Sequence, residues 1–393
     1  MLVSSFVHTF IMAQKYILFL STNIIWGGSE VLWTAAAKNL AGKGYEVKAG
    51  VRYGHPLIAS FIPDKQNYID IQNRIQPLTI KQRILIKLRL GKFHRMDSLQ
   101  EALKLNKPAL AIISQGNNIE GRHLMKDCIL LGIPFVTITH LVTKDFWPAL
   151  NDTLINEIRL LYKQGLHHCF VSKNTLLLHE KLLGETLTNS SIVYNPFTKN
   201  IPAGIIFPAK NNGIYKVAMI GRIEAFHKGY DLLIEVLKAD KWKERPIHFS
   251  LFGSGPHVEL LQRLIEQESI TNFSIHGHQE DISEIWKRCH ILLMPSRMEG
   301  QSLTLIEAMR FKRAAIVTDV GGTIELVQEG INGFIATHPI PEFIEAAMER
   351  AWQKREEWEQ MGIQAAQTIA ERHPEDAVAF FNKQLEGILS ANL

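Results

Sequence analysis

Apolar strand-like runs alternate with helix-like stretches along almost the whole chain, and no other feature restricts the fold as much. This alternation is typical of parallel sheets with helices on both faces. The predicted strands of the first half are Tyr16–Ser21, Glu46–Val51, Leu110–Ser114, Phe135–Thr139 and His168–Ser172. Those of the second half are Lys216–Ile220, His248–Phe252, Phe273–His276, His290–Met294 and Ala314–Thr318. The sequence therefore predicts an α/β protein.

The alternation lapses between Tyr194 and Pro208, where Asn195-Pro196 favours a turn. A chain of 393 residues is also longer than one hydrophobic core usually serves. We therefore predict two Rossmann-like domains, over residues 1–200 and 201–373, followed by a helical segment over residues 374–393.

Composition excludes several classes of protein. Apolar residues make up 46% and charged residues 21%, as in ordinary globular proteins, and a net charge of +4 is too small to indicate nucleic acid. No apolar run predicts a membrane-spanning helix, and residues 1–20 lack the basic region of a signal peptide. Cys128, Cys169 and Cys289 lie far apart, which favours reduced core cysteines and a cytosolic compartment.

The strongest cluster of candidate functional residues, Pro295–Met309, follows the fourth predicted strand of the second half. Glu299 lies in a loop, and Glu307 lies on the second turn of a helix that begins near Ser302. We expect this helix end to be uncapped, because amides in a first turn have no partner within the helix and are free to bind a diphosphate. The two carboxylates are acceptors for sugar hydroxyls. The alternative is a pair of ordinary surface acids.

A second cluster, Gly221–Gly229, directly follows the first predicted strand of the second half. Arg222 can grip two phosphate oxygens through its guanidinium fork, and Lys228 supplies a compact positive charge. Two cations beyond a strand end suit a pyrophosphate. The alternative is a pair of solvated surface cations.

Three weaker signals accompany these clusters. Gly27 and Gly28 follow the first strand, where glycine lets a backbone approach a phosphate closely or simply makes a tight turn. His140 ends the strand Phe135–Thr139 and is either a hydrogen-bond donor to a ligand or structural. Gly321-Gly322 precedes another helix and either closes over a nucleotide or forms a turn.

Taken together, these segments resemble the family 4 retaining glycosyltransferases (glycosyl transferases group 1). Four motifs stand in the family's order: Gly27–Glu30, Gly221-Arg222 with Lys228-Gly229, Glu299 with Glu307, and Gly321-Gly322 with Glu325. The resemblance implies the GT-B fold, with two Rossmann-like parallel-sheet domains facing a deep interdomain cleft. It also implies that the C-terminal helix crosses back to the first domain.

The resemblance also implies roles for individual residues. Arg222 and Lys228 would stabilise the departing diphosphate, Glu299 would contact the sugar, and His140 would lie beside the reacting sugar. Glu307 would hold the ribose. The implied donor-binding residues are Gly27, Gly28, Gly300, Gln301, Ser302, Leu303, Thr304 and Glu307.

This sequence departs from the family's pattern at two places. Five residues separate Arg222 from Lys228, where many relatives have four, and Gln301-Ser302 stands where Phe-Gly is frequent. No Asp-x-Asp motif occurs, so we expect no metal bound by that motif. We also expect no cofactor, since the nucleotide-diphosphate sugar is itself the donor substrate. Retention of anomeric configuration is implied by the resemblance.

The predicted function is transfer of a hexose-type sugar from a nucleotide-diphosphate donor to a hydroxyl of a saccharide or lipid-linked saccharide. Residues 74–95 contain seven Lys or Arg and no Asp or Glu, which favours either peripheral membrane contact or a solvated basic helix. A catalytically inactive sugar-nucleotide-binding module is the alternative. Phe252–Pro256 faintly resembles the glycine-rich turn of a dinucleotide-dependent oxidoreductase but lacks its third glycine.

Overall fold

The computed structural model describes residues 16–23, 27–51, 68–70, 98–197, 206–210 and 212–392. These residues form two compact units. The first contains the described residues up to Val171, together with Leu176–Asn195 and the residues from Asp376 onward. The second contains Ser172–Thr175 and the described residues of Pro196–Glu375. The C-terminal segment therefore groups with the first unit, although the second unit precedes it in the chain.

The first unit contains a parallel sheet of seven strands among the described residues. The strands are β1 (Ile17–Ser21), β2 (Val47–Val51), β3 (Tyr68–Asp70), β4 (Leu110–Gln115), β5 (Phe135–Thr139), β6 (His167–Phe170) and β7 (Ser190–Ile192). Their order is β3-β2-β1-β4-β5-β6-β7, and every pair is parallel. The helices are α1 (Gly28–Gly42), α2 (Ser98–Leu105), α3 (Arg122–Leu131), α4 (Asp152–Gln164) and α5 (Lys173–Leu183).

The second unit repeats this plan with six strands: β8 (Tyr215–Ile220), β9 (Ile247–Phe252), β10 (Phe273–His276), β11 (Ile291–Met294), β12 (Ala314–Thr318) and β13 (Gly333–Ala336). Their order is β10-β9-β8-β11-β12-β13, again all parallel. The short helices are α6 (Ala225–Lys228), α7 (Tyr230–Leu237), α8 (Asp240–Glu244), α9 (Val258–Gln267), α10 (Ile282–Trp286), α11 (Leu303–Arg310) and α12 (Thr323–Leu326). The longer α13 (Pro341–Gln353), α14 (Trp358–Arg372) and α15 (Ala377–Asn392) end the described chain.

Each sheet has an apolar core on both faces, which explains why its central strands are continuous apolar runs. All five residues of β1 are buried, as are all four of β11. Burial on both faces leaves the loops at the strand ends as the accessible parts of each sheet.

The C-terminal helix α15 completes the core of the first unit. Phe381, Leu385 and Leu389 are buried there among residues of α1 and the central strands. The amide of Asn382 donates to Asn39 Oδ1 at 2.7 Å, which fixes the helix against α1.

The predicted α/β class with two parallel-sheet units is confirmed, and the bounds of β5, β10 and β12 agree with the prediction. Three short strands, β3, β7 and β13, were not predicted. The helix expected after Gly321-Gly322 is the short α12, and three further helices, α13 to α15, follow β13. The basic stretch 74–95 lies outside the described residues. So do residues 198–205, which belong to the segment where the alternation of strands and helices lapses.

Candidate functional site

The strand order of the second sheet reverses between β8 and β11, which are neighbours in space although two strands separate them in sequence. Open α/β sheets bind ligands at such a switch point, in the crevice beyond the carboxyl ends of the strands. The loop Gly221–Gly229 follows β8, and the loop Pro295–Ser302 follows β11. The two charged clusters that the sequence singled out therefore meet at one crevice of the second unit.

The loop after β8 carries two cations in different environments. Arg222 is exposed, and its guanidinium makes no hydrogen bond or ion pair with any described residue. Lys228 is the last residue of α6, a helix whose first turn is capped by Glu224, which accepts from His227 N at 2.9 Å. Because α6 is capped, the backbone position of Lys228 is defined.

Glu299 is paired with Lys228 across the crevice. Lys228 Nζ donates to Glu299 Oε1 at 2.7 Å, and the hydroxyl of Ser296 donates to the same oxygen at 2.8 Å. The side chain of Glu299 is only 10% exposed, whereas that of Lys228 is 28% exposed. The carboxylate is therefore the more enclosed partner, and the ammonium group lies nearer to solvent.

Tyr230 adds a buried hydroxyl that the sequence analysis did not single out. Burial raises its pKa, and the negative charge of Glu299 raises it further. A Cβ placed on Gly221 would lie 3.6 Å from the Tyr230 hydroxyl and 3.8 Å from Lys228 Cε. The hydroxyl and the lysine stem therefore both border the first residue beyond β8.

Helix α11 directs its N-terminus into the same crevice. Thr304 Oγ1 donates to Ile220 O at 3.3 Å, which holds the first turn of α11 against the end of β8. The expectation of an uncapped helix end is wrong, because Ser302 Oγ accepts from Leu305 N at 3.4 Å. The amides of Ser302, Leu303 and Thr304 still donate to no described residue, so they remain available to an anion.

The remaining predicted residues of this segment lie beside that helix end. Glu307 lies three residues after Thr304, hence on the same side of α11, and is partly buried. Gly300 and Gln301 lie in the loop between Glu299 and the helix cap. The structure thus brings together every residue that was predicted for donor binding in the second unit.

The Gly321-Gly322 turn supports the Glu299 loop. Gly322 N donates to Gly300 O at 2.7 Å, and a Cβ on Gly321 would lie 2.0 Å from Glu299 O. Gly321 also has φ +54, a conformation that favours glycine. Contact with the Glu299 loop therefore accounts for Gly321, whereas a Cβ on Gly322 would lie 2.7 Å from Ser172 Cβ.

The glycines of Phe252–Pro256 likewise pack against the loop after β8. A Cβ on Gly253 would lie 1.9 Å from Gly221 O, and one on Gly255 would lie 2.3 Å from Ile223 O. Loop packing explains these glycines, so the faint likeness to a dinucleotide-binding turn needs no cofactor.

In the first unit, the order of strands reverses between β1 and β4, and His140 follows the neighbouring β5. Its Nε2 lies 3.1 Å from Ser114 Oγ, while its buried Nδ1 has no hydrogen-bond partner among the described residues. Burial lowers the pKa of His140 to about 3. The imidazole is therefore neutral near pH 7 and carries a single N–H.

Gly27 and Gly28 begin α1 after β1, but the local geometry does not require a glycine at Gly27. Its φ is −159, and a Cβ there would meet nothing within 4 Å. The neighbouring Glu30 is buried and accepts from Asn23 Nδ2 at 2.6 Å and from Trp33 Nε1 at 2.8 Å. Burial raises the pKa of Glu30. This carboxylate therefore ties the loop after β1 to the first turn of α1.

The cysteines carry little functional information. Cys128, Cys169 and Cys289 are buried and free, in agreement with their interpretation as core residues. Within the described ranges, no three or more His, Cys, Asp or Glu side chains are grouped so that they could hold a metal ion.

Comparison with known proteins agrees with the geometry of the second unit. Residues 206–368 match the family Glycosyl transferases group 1. The structure is similar to that of Anabaena HepE in complex with UDP, with a TM-score of 0.71 and 16% sequence identity. The match covers 96% of this chain and 100% of the HepE chain. Sucrose-phosphate synthase from Thermosynechococcus elongatus is similar with a TM-score of 0.71 and 15% sequence identity. The match covers 96% of this chain and 100% of the synthase chain. The fold is GT-B.

Curated relatives match parts of this GT-B chain. An uncharacterized glycosyltransferase of Methanocaldococcus jannaschii is 28% identical over 157 residues, which are 39% of this chain and 41% of the relative. Alpha-D-kanosaminyltransferase of Streptomyces kanamyceticus is 29% identical over 179 residues, 44% of each chain. The chain therefore spans less than half the length of these relatives. In the part of the chain that the structure describes, no helix has both the length and the apolar character needed to cross a bilayer.

Proposed function

We propose that this chain is a glycosyltransferase that transfers a sugar from a nucleoside-diphosphate donor to a hydroxyl acceptor. One observation carries the proposal: Lys228, Glu299 and the unpartnered amides of α11 converge at the switch point between β8 and β11, and Arg222 lies in the loop that carries Lys228. The match of residues 206–368 to Glycosyl transferases group 1 supports it.

The chemistry of sugar transfer accounts for this convergence. Breaking the anomeric C–O bond builds negative charge on the diphosphate and positive charge on the sugar ring. Arg222, Lys228 and the start of α11 would stabilise the negative charge, and removing one such preorganised group typically costs a few kcal/mol of barrier. Glu299 would accept hydrogen bonds from sugar hydroxyls, and Glu307 would accept them from the ribose.

The first unit would contribute a neutral hydrogen-bond donor. Because burial lowers the pKa of His140 to about 3, its N–H can bond to the donor sugar without adding positive charge beside a cationic ring. Gly27 and Gly28, at the start of α1, would border the donor phosphate.

The finer assignment rests on the four motifs shared with family 4 enzymes. We propose transfer of a hexose with retention of configuration, and without a metal, since Arg222, Lys228 and the helix amides supply the positive charge that a metal would otherwise provide. The acceptor is proposed to be a saccharide or lipid-linked saccharide, on the cytoplasmic side of the membrane. Membrane contact through residues 74–95 remains a prediction from the sequence alone.

The test is a screen of UDP-, GDP-, ADP- and dTDP-hexoses for slow release of nucleotide, in buffer containing EDTA. UDP-sugars are the first to try, because Anabaena HepE has been solved with UDP and with UDP-glucose. We expect release from at least one donor. Glu307→Ala should abolish most of it, whereas Glu342→Ala, an exposed glutamate of α13, should not.

Each contrary result has a distinct meaning. Equal release from the wild-type protein and Glu307→Ala would show that the assigned site is wrong. Binding without release would favour a catalytically inactive sugar-nucleotide-binding module. Neither binding nor release with any donor would overturn the proposed function.

A further inference from the structure

Arg297 joins the loop that carries Glu299 to the segment that carries Lys228. It belongs to the loop after β11, two residues before Glu299. Its Nη1 and Nη2 donate to the two carboxylate oxygens of Asp231, each at 2.7 Å. Asp231 lies in the first turn of α7, three residues after Lys228. A bidentate pair of this kind fixes orientation as well as distance.

The same side chain also holds α6, the helix that ends at Lys228. Arg297 Nη1 donates to Phe226 O at 2.9 Å, and its guanidinium lies 4.8 Å from the centre of the Phe226 ring. Its backbone N donates to His227 O at 2.8 Å. Arg297 therefore binds residues on both sides of Lys228, and its side chain is only 18% exposed.

Close backbone packing makes this connection rigid. Gly229 has φ +67, and a Cβ there would lie 1.9 Å from Pro295 O, so the junction of α6 and α7 lies directly on the start of the loop after β11. The loop is thus held at Pro295 by this contact and at Arg297 by its hydrogen bonds. Only Met298 separates Arg297 from Glu299.

We propose that Arg297 is a positioning residue, which through Asp231 and Phe226 O sets the Lys228 ammonium and the Glu299 carboxylate in the geometry that turnover requires. Arg297 does not itself contact the donor. This inference depends on the proposed function, because it assigns Arg297 to the site at which Lys228 stabilises the leaving diphosphate. A displaced Lys228 stabilises developing charge less, so turnover should fall more than donor binding weakens.

The second unit offers a matched control. Arg245 donates through Nη1 and Nη2 to the carboxylate of Glu349, at 2.9 and 3.0 Å, and its side chain is 19% exposed. This pair joins the segment after α8 to α13 and contacts neither of the loops after β8 and β11. Replacing either arginine by lysine keeps the charge and removes the two-point geometry.

The experiment measures kcat and KM for nucleotide release from the sugar nucleotide that the wild-type protein turns over in the UDP-, GDP-, ADP- and dTDP-hexose panel. We expect Arg297→Lys and Asp231→Asn each to lower kcat about tenfold while KM rises less than about threefold. The double variant should be no worse than either single one, because both remove the same interaction. Arg245→Lys should change kcat and KM less than about twofold.

Thermal unfolding of all variants separates positioning from a general loss of stability. We expect Arg297→Lys and Arg245→Lys to lower the melting temperature by similar amounts, while only the first lowers kcat. If the two variants retain the same kcat, or if the Arg297 and Asp231 effects are additive, the inference is overturned and the proposed function stands. If the wild-type protein turns over no sugar nucleotide, the proposed function falls and the role of Arg297 falls with it.

Discussion

Lys228 Nζ donates to Glu299 Oε1 at 2.7 Å, so a cation assigned to the diphosphate and a carboxylate assigned to the sugar are each other's partners. A bound diphosphate would compete with Glu299 for Lys228. Lys228 should therefore favour binding of the diphosphate and Glu299 should oppose it, which makes their individual variants informative.

Glu299→Gln should separate binding from turnover. Removing the negative charge frees Lys228 and removes repulsion of the diphosphate, so we expect UDP, or whichever nucleoside diphosphate binds, to bind several-fold more tightly. Turnover should fall by about a hundredfold, because the amide accepts sugar hydroxyls less strongly than a carboxylate does. Calorimetric titration and the nucleotide-release assay measure the two quantities. Weaker binding of the diphosphate would contradict the proposed competition.

Gly229→Ala should destabilise the second unit more than its φ angle alone requires. The left-handed conformation costs alanine about 1 kcal/mol, and the contact with Pro295 O forces a backbone shift of about 1–3 kcal/mol in addition. Gly330→Ala is the control, because Gly330 has φ +71 and a Cβ there meets nothing within 4 Å. Calorimetry should show the larger loss of stability for Gly229→Ala. Equal losses would mean that the contact relaxes without cost.

Acid should destabilise the first unit through its buried histidines. Burial lowers the pKa of His140 and His179 to about 3 and that of His168 to about 4, whereas unfolded histidine titrates near 6.5. Between these values the unfolded chain binds more protons, so the free energy of unfolding is highest above pH 6.5 and falls as the pH falls. Each histidine contributes a slope of up to about 1.4 kcal/mol per pH unit. Burial raises the pKa of Glu30, so the folded protein holds this proton to higher pH than the unfolded chain does, which opposes the effect of the histidines.

Urea unfolding at pH 7.5, 6.5 and 5.5 measures this slope. His179→Gln should lower the slope of the free energy of unfolding against pH by the contribution of one histidine. His338→Gln, at an exposed position, should leave the slope unchanged. A free energy of unfolding that is flat over this pH range would show that the imidazoles are not buried in the neutral form.

The three cysteines should be unreactive in the folded protein. Burial raises the pKa of Cys128 and Cys169 to about 12 and that of Cys289 to about 11, so almost no thiolate is present at pH 8. A disulfide reagent that reports thiol release should react with all three only in denaturant. Rapid labelling of the folded protein at pH 8 would contradict their burial.

The sequence was sufficient to predict the central strands, because strands buried on both faces are continuous apolar runs. It was insufficient for β3 and β7, which have only three residues each, too few for any pattern. The cap of α11 was missed although Ser302 is a residue type that caps helices.

The candidate residues could be recognised from their place after strands, but their partners could not. Lys228 and Glu299 are 71 residues apart and meet only because β8 lies beside β11, a strand order that local patterns do not encode. The same holds for Arg297, which in sequence is an ordinary loop arginine. Gly253 and Gly255 gave a false signal, because close loop packing selects glycine as strongly as a cofactor does.

The most direct test of the central claim is calorimetric titration of UDP, GDP and ADP, and of the corresponding nucleosides, into the wild-type protein and Lys228→Met. Lys238→Met is the matched control, because Lys238 is also paired with a glutamate, on the exposed surface of the second unit. We predict that Lys228→Met weakens binding of the preferred diphosphate by at least about tenfold and leaves nucleoside binding and the control unchanged. Equal diphosphate affinity in the wild-type protein and Lys228→Met would contradict the account.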